Sequence, residues 1–566
     1  MEEWLKDSLG TIAVLVYLLY PLLKRFLERR KEQARRREQA EASKPAAEHT
    51  GPRRDTRRER RAASRARSGP EAAPRPGSAA GHRGPQQRGL RRGEELRRDL
   101  DAQRVAAFKA ELERARGETV ALVELIGAAP AGTRAGQPLL AQLAEPLRQD
   151  LLPSIERMAG ALNREPTIAT VQAQTDSLGD LEAVLAALRG LIEQRLSSAA
   201  SVLADVDTIA SASYAPFVSF AQTQSVHLAE RRPVSVRGPF DRNRLASTSI
   251  APIAVPSGFA RQVWGWPSIV HDVARDLFFN IEHLALDLHS RLDLPRRLPA
   301  PSSELELQAG FVRMLFGPWL PEVFADLLAT LMLGPAYVES MVHTLANPRA
   351  PQRSSAILTN RGLIAQQPPA RLRLYMACVA LAELGYQAEG EALWARWEAI
   401  HPNAQLFFLP LSGNWVGLSE QALTKPADEL VALMLNEPWP ELAGFRLPNI
   451  PGLAYGEREE AQARNLSSKL TEGLRVDADA RWLVAAAVMA AAQAPEQQAQ
   501  VLAAARRSLS SESVAKSVVA VLDEAVRPSS IKAELRRSLR NPDAVREAIV
   551  LGTALCPRTS HRRAGN

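Results

Sequence analysis

Apolar and polar residues along this 566-residue chain fall into three textures. Residues 9–23, LGTIAVLVYLLYPLL, form an unbroken uncharged apolar run. From Lys24 to about residue 90 aliphatic periodicity disappears. Beyond residue 94, apolar residues recur at the three- and four-residue spacing of amphipathic helices. This spacing predicts helices over about 94–127, 136–163, 168–192, 194–211, 266–291, 303–316, 319–346, 370–385, 387–400 and 417–435. A further group rich in Ala and Leu covers 456–555, and breaks are expected at Gly132, Pro166 and Gly179. No segment alternates like a half-buried strand between hairpin turns, so the expected fold class is all-α. Segment 212–260 carries several prolines and short apolar runs and reads as a long irregular connection. LFFLPLSGNWVGLS, 406–419, reads as a packed corner.

Composition agrees with helix. Aromatic residues make up only 5% of the chain, which leans on Ala, Leu and Arg. Cys378 and Cys556 lie far apart, which excludes a disulfide framework and argues against a cysteine zinc site. Such cysteine usage fits a reducing cytosol.

The apolar run at 9–23 is short beside the ~20 residues of an ordinary membrane-spanning helix. Trp4, Leu5, Phe26 and Leu27 extend it, and Lys6, Lys24 and Arg25 can snorkel to the interfaces. The acidic start MEEWLKD, with no small-residue cleavage site after the run, argues against a removed signal peptide. A single-pass anchor is therefore expected. Cationic residues cluster after the run, at Lys24, Arg25, Arg29, Arg30, Lys31 and Arg35–Arg37, which orients the C-terminal body toward the cytoplasm.

Charge changes the picture of the segment after the run. Residues 24–100 hold 24 Lys or Arg against 11 Asp or Glu, so the basicity behind the overall +8 belongs to this segment and the remainder is net acidic. TGPRRDTRRERRAASRARSGPEAAPRPG and its neighbours cannot bury enough apolar surface to offset their ordering entropy, and a disordered basic linker is expected. Anionic lipid is the partner that suits it, each charge near a membrane surface contributing about 1 kcal/mol. Nucleic acid is disfavoured because no aromatic side chain is present to stack on bases.

Three short stretches carry candidate chemistry. VHDVARDL, 270–277, sets His271 and Asp272 near the start of a helix. WLPEVFADLLATLMLGPAY, 319–337, starts a second, with Glu322 in its first turn. IAQQPPARLRL, 364–374, opens a third. Taken together these resemble the zinc metallopeptidases of the HtpX and CAAX-prenyl-protease type, whose pattern is H-E-x-x-H, then E-x-x-A-D on a later helix, then H-P-P-x-x-x-R. His271 matches the first ligand. Glu322, Ala325 and Asp326 match the second element, and Pro368, Pro369 and Arg373 the third. The resemblance covers about residues 260–390. It implies a zincin-like helical domain in which His271 and Glu322 are remnant ligand positions.

The departures matter as much. Asp272 replaces the general-base glutamate, Arg275 the second histidine ligand, and Gln367 the histidine before the two prolines. An arginine cannot deprotonate and brings a fixed positive charge to the place of a dication. Asp276, ~100° further round the helix than Arg275, is a poor substitute ligand, and nothing demands that His283 or His289 approach. The expectation is a vacated site with no cofactor, in which Arg275 pairs with Glu322 while Asp272 or Asp326 lies near. The plain alternative is that His271 is an ordinary helix histidine and Glu322 a first-turn acid favoured by the helix dipole. In RQVWGWP, 261–267, the two tryptophans beside the site helix are expected to be core.

The chain is accordingly divided into an anchor (1–30), a disordered basic linker (31–92), a helical bundle or hairpin (93–211), an irregular connection (212–260), a zincin-like helical domain (261–440), a C-terminal helical region (441–556) and a basic tail (557–566). The function expected is a membrane-anchored cytoplasmic binding or scaffold protein on an inactive metallopeptidase-like domain, with a protein or peptide partner. Two alternatives stay open: an active zinc metallopeptidase with ligands from elsewhere, and a helical tether or adaptor without peptidase ancestry.

Overall fold

The computed structural model of the chain describes residues 85–510, apart from 129–136, 229–230, 239, 241–244, 246–247, 295–303, 361–362, 402–405 and 412–413. The expected anchor, the linker as far as residue 84, the expected C-terminal helices beyond residue 510, and the basic tail lie outside these residues. The chain divides into a small unit, which takes in residues up to Arg98 and Leu411–Asn414, and a large unit of the remainder. The candidate site belongs entirely to the large unit.

The N-terminal part of that unit is helical. The long helix α1, Pro85–Gly127, joins it at Asp99. Within α1 Val105, Phe108, Leu112, Ala115, Thr119, Leu122 and Ile126 are all buried. Their alternating spacing of three and four is a heptad seam, the register of coiled-coil packing. Helices α2, Gln137–Pro146, and α3, Leu152–Arg164, are separated by a π-helical turn, Leu147–Leu151. Helix α4, Ile168–Arg195, answers α1 with Leu178, Leu181, Leu185, Leu188 and Ile192, and Arg114 of α1 meets Glu182 of α4 at 2.7 Å. Gly179 does not break α4 as expected; it lies inside the helix.

Two further expectations are corrected in the next segment. Helix α5 runs Ala200–Gln224, straight through Pro216, where an irregular connection was expected from 212. Strands β1, Arg232–Val236, and β2, Ile250–Ala254, then pair in parallel, with Pro233 opposite Ala251 and Pro252 opposite Val234. A proline in each strand hides them from pattern reading. Arg195 fastens β1 to the helices: its Nη2 reaches Asp207 Oδ1 at 3.0 Å and the Ser235 carbonyl at 2.9 Å. Residues 406–411 and 414–419 are likewise strands of a two-stranded sheet rather than a corner. The described residues remain mostly helical, with these few short strands.

The central layer holds the candidate site. Helices α6, Pro267–Asn280, and α7, Leu284–Arg291, replace the single helix expected over 266–291. Helix α8, Glu304–Leu333, is continuous through Pro318 and Pro321, where two helices were expected. Helix α9, Pro335–Leu345, comes next across Gly334. Helices α10, Ala370–Glu383, and α11, Gln387–Ile400, match the predicted spans to within two residues. Helix α12, Glu420–Asn436, and the C-terminal helices α13, Glu457–Thr471, α14, Ala480–Gln493, and α15, Gln498–Leu509, complete the layer.

Helix α8 is the axis, lying against α6, α10, α12 and α14. Its stretch Gly310–Leu333 is long and apolar enough to cross a membrane by composition, yet 78% of its apolar window is buried inside the protein. That burial is the mark of a core helix. Of the tryptophans of RQVWGWP, Trp266 is core as expected, fully buried and stacked on Phe259 at 5.0 Å, whereas Trp264 is half-buried and stacks on His343 at 3.7 Å.

Candidate functional site

Helix α6 starts at Pro267, which supplies a preset helical φ at a position whose N–H would be unpaired in any case. Its polar residues then fall in two rows at i,i+4 spacing. One row, His271 and Arg275, turns toward α8. The other, Asp272 and Asp276, turns toward β2 and α5. There Asp272 Oδ2 accepts from the Ala254 amide at 3.1 Å, while Asp276 accepts from the Tyr214 hydroxyl and from Arg231 Nη1 at 2.9 Å. Asp276 is thus committed to α5 and the β1 approach, away from His271.

Helix α8 presents a matching row, Glu322 and Asp326, one turn apart. Arg275 Nη1 lies 2.7 Å from Glu322 Oε1, and His271 Nε2 lies 3.4 Å from Asp326 Oδ1 and 3.5 Å from Glu322 Oε2. The order of the pairs reverses between the helices, as in antiparallel neighbours. Helix α10 adds Arg373, whose Nε and Nη2 donate to Asp326 Oδ2 and Oδ1, both at 2.7 Å, in a bidentate fork. Helix α9 adds Tyr337, whose hydroxyl donates to Asp326 Oδ1 at 2.6 Å. His271, Arg275, Glu322, Asp326 and Arg373, expected together from three separate stretches, therefore meet in one cluster, while Asp272 turns to the Ala254 amide on the other face of α6. Gln367 does not join it and stands exposed in the loop before α10.

Burial makes these contacts consequential. Asp326 is wholly buried and Glu322 is 1% exposed. Burial alone would raise the pKa of Asp326, but the Arg373 guanidinium and its two hydrogen bonds outweigh that and hold the carboxyl below its ordinary value. Burial and the adjacent Asp326 charge push the Tyr337 hydroxyl well above its ordinary pKa, so it stays a donor. Tyr337 was missed in the sequence because, although it closes the second stretch, it lies outside the E-x-x-A-D pattern. The first-turn role for Glu322 does not hold, since α8 begins eighteen residues earlier, at Glu304. Nor is His271 at the surface of a helix end; it is buried, with its ring parallel to that of Tyr337 at 6.5 Å.

The zinc ion that the resemblance implies does not fit these residues. Arg373 Nη2 lies 3.2 Å from His271 Nε2. In either tautomer of His271, that fixed cation stands beside the nitrogen that would bind the metal. The second ligand position is a guanidinium, and it sits at the Glu322 carboxylate. Among the described residues no group of three His, Cys, Asp or Glu side chains is arranged to hold a metal ion. The arrangement can instead set two buried carboxyl groups against two fixed cations, and lock three helices by doing so.

Comparison of the chain with protein-family models, with curated proteins and with solved structures finds no match in any of the three.

Proposed function

We propose that this chain is a membrane-anchored binding or scaffold protein, built on a metallopeptidase-like core whose metal-binding positions arginine has taken over, and that it holds a protein or peptide at the cytoplasmic face of a membrane. The observation that carries this reading is the convergence of His271, Glu322 with Asp326, and Arg373 from three separate stretches into one cluster, with arginine nitrogens where a cation would be held. An ordinary structural ion pair has no reason to reproduce all three stretches of that pattern in one place. The apolar run Leu9–Leu23 and the basic segment after it support the membrane part of the reading.

The test uses the full-length protein purified in detergent. Metal analysis is expected to find zinc well below stoichiometric, with no hydrolysis of unfolded protein substrates. Stoichiometric zinc that disappears on His271→Ala, together with proteolysis, would overturn the reading in favour of an active metallopeptidase. In the same cells the chain is expected to stay with membranes through alkaline extraction and to be released by deletion of residues 1–30. Release of the intact chain would remove the anchor from the proposal.

A further inference from the structure

The cluster contains two arginine–carboxylate pairs of different build. Arg373 grips Asp326 with a fork of two 2.7 Å bonds, and their side chains are 12% and 0% exposed. Arg275 touches Glu322 with one nitrogen, and its own side chain is 26% exposed while that of Glu322 is 2% exposed. Although that nitrogen is close, neither oxygen of Glu322 receives a directed hydrogen bond. Glu322 is thus a buried carboxylate with a counter-charge beside it and its acceptor capacity unfilled, a combination that is costly in a low-dielectric interior. Asp326 wants nothing further; Glu322 does.

Solvent access lies on the Arg275 side. Asp272 and His271, the neighbours of Arg275 on α6, are 15% and 11% exposed. The Glu322 carboxylate is therefore bordered by His271 Nε2 at 3.5 Å and screened from solvent by the part-exposed Arg275 side chain. A planar guanidinium entering in line with the carboxylate could donate two parallel hydrogen bonds to Oε1 and Oε2, which the tethered Arg275 does not achieve.

We propose that Glu322, flanked by His271, is a binding site for a guanidinium group, that Arg275 is its resident occupant, and that an arginine side chain of a bound protein segment takes Arg275's place. This rests on the reading of the domain as a binding module and names the chemistry it recognises. Arg275 then acts as an internal competitor. Because the fold holds it on the facing helix α6, it presents itself at an effective concentration of millimolar or more, so the wild type admits only a segment that adds contacts elsewhere.

The experiment compares the full-length wild type with Arg275→Ala and with the double variant Arg275→Ala/Glu322→Gln, using methylguanidinium chloride and acetyl-arginine amide as probes. Sodium chloride at equal ionic strength is the control. Arg275→Ala is expected to melt below the wild type, and the guanidinium probes to raise its melting temperature at millimolar concentration. The wild type is expected to bind the probes at least about tenfold more weakly. The double variant, which removes both charges, is expected to fold and to ignore the probes; it keeps the test readable even where the single variant is unstable. A probe response that survives Glu322→Gln, equal affinity in wild type and Arg275→Ala, or no response of Arg275→Ala would each overturn the proposal. Stoichiometric zinc in the wild type would instead remove the reading beneath it, and the two failures are separately visible.

Discussion

Arg373→Met is expected to lower the stability of the chain by about 3–5 kcal/mol, the cost of leaving a buried carboxylate without its counter-charge. The substitution keeps the length and most of the apolar contact of the side chain, so the loss reports the guanidinium. It removes both bonds to Asp326 and the contact with His271 Nε2. Arg373→Met/Asp326→Asn is expected to recover much of the loss, because no unpaired charge then remains. Urea unfolding of the wild type, of Arg373→Met, of Asp326→Asn and of the double variant gives the coupling directly. The pair also has a pH signature. The folded-state pKa of Asp326 is depressed, so its stabilisation is full above the ordinary carboxylate value of about 4 and is lost as pH falls through the lower folded value. The gap between wild type and Arg373→Met should therefore be widest near neutrality and narrow in acid. A gap unchanged from pH 7 to pH 3 would show that Asp326 is not the group responsible.

Gly334→Ala is expected to be comparably damaging for an unrelated reason. Gly334 joins α8 to α9 at φ 58° and ψ −142°, a conformation essentially reserved for glycine. A Cβ there would lie 2.3 Å from Cδ1 of the Tyr455 ring, which is itself buried. The ring cannot retreat easily: the Tyr455 amide donates to the Leu331 carbonyl at 2.7 Å, and Trp482 and Tyr386 lie 5.8 and 5.9 Å from the ring. Backbone strain of about 1–3 kcal/mol and overpacking of a similar size are expected to act together. Gly334→Ala/Tyr455→Ala should remove the clash while leaving the strain. If the single variant unfolds at the wild-type urea midpoint, the joint between α8 and α9 tolerates more than its geometry implies.

Much of the cluster was legible in the sequence, and the reason is local. His271 with Arg275 and Glu322 with Asp326 each stand at i,i+4, a spacing that puts both members on one helix face whatever the tertiary fold. Two such rows can meet across one interface; the pairing of Arg275 with Glu322 was expected because Arg275 stands where the resembled pattern has a metal ligand. Helices α10 and α11 were legible because Pro368–Pro369 and Gly385–Tyr386 mark their starts. What was not legible came from tertiary context overriding local rules. Pro318 and Pro321 read as a helix boundary, but α8 runs through both, and the burial of Leu315, Phe316, Trp319 and Leu320 around them offsets the lost backbone bonds. Pro233 and Pro252 concealed β1 and β2 in the same way. Tyr337 could not be assigned because its role depends on a turn at Gly334 that only the folded chain reveals.

The two acids on α8 also bear on how the chain is made. Gly310–Leu333 has the length and hydropathy of a membrane span, and while it emerges from the ribosome nothing yet covers it. Glu322 falls near the middle of this stretch, with Asp326 one turn on. An acidic side chain such as Asp at the centre of an inserting helix raises the insertion free energy by roughly 2.5–3.5 kcal/mol. At a translocation channel, carboxylates so placed would act against release of such a helix sideways into lipid. The charges that need counter-ions in the folded core thus also make α8 a poor membrane span before it folds.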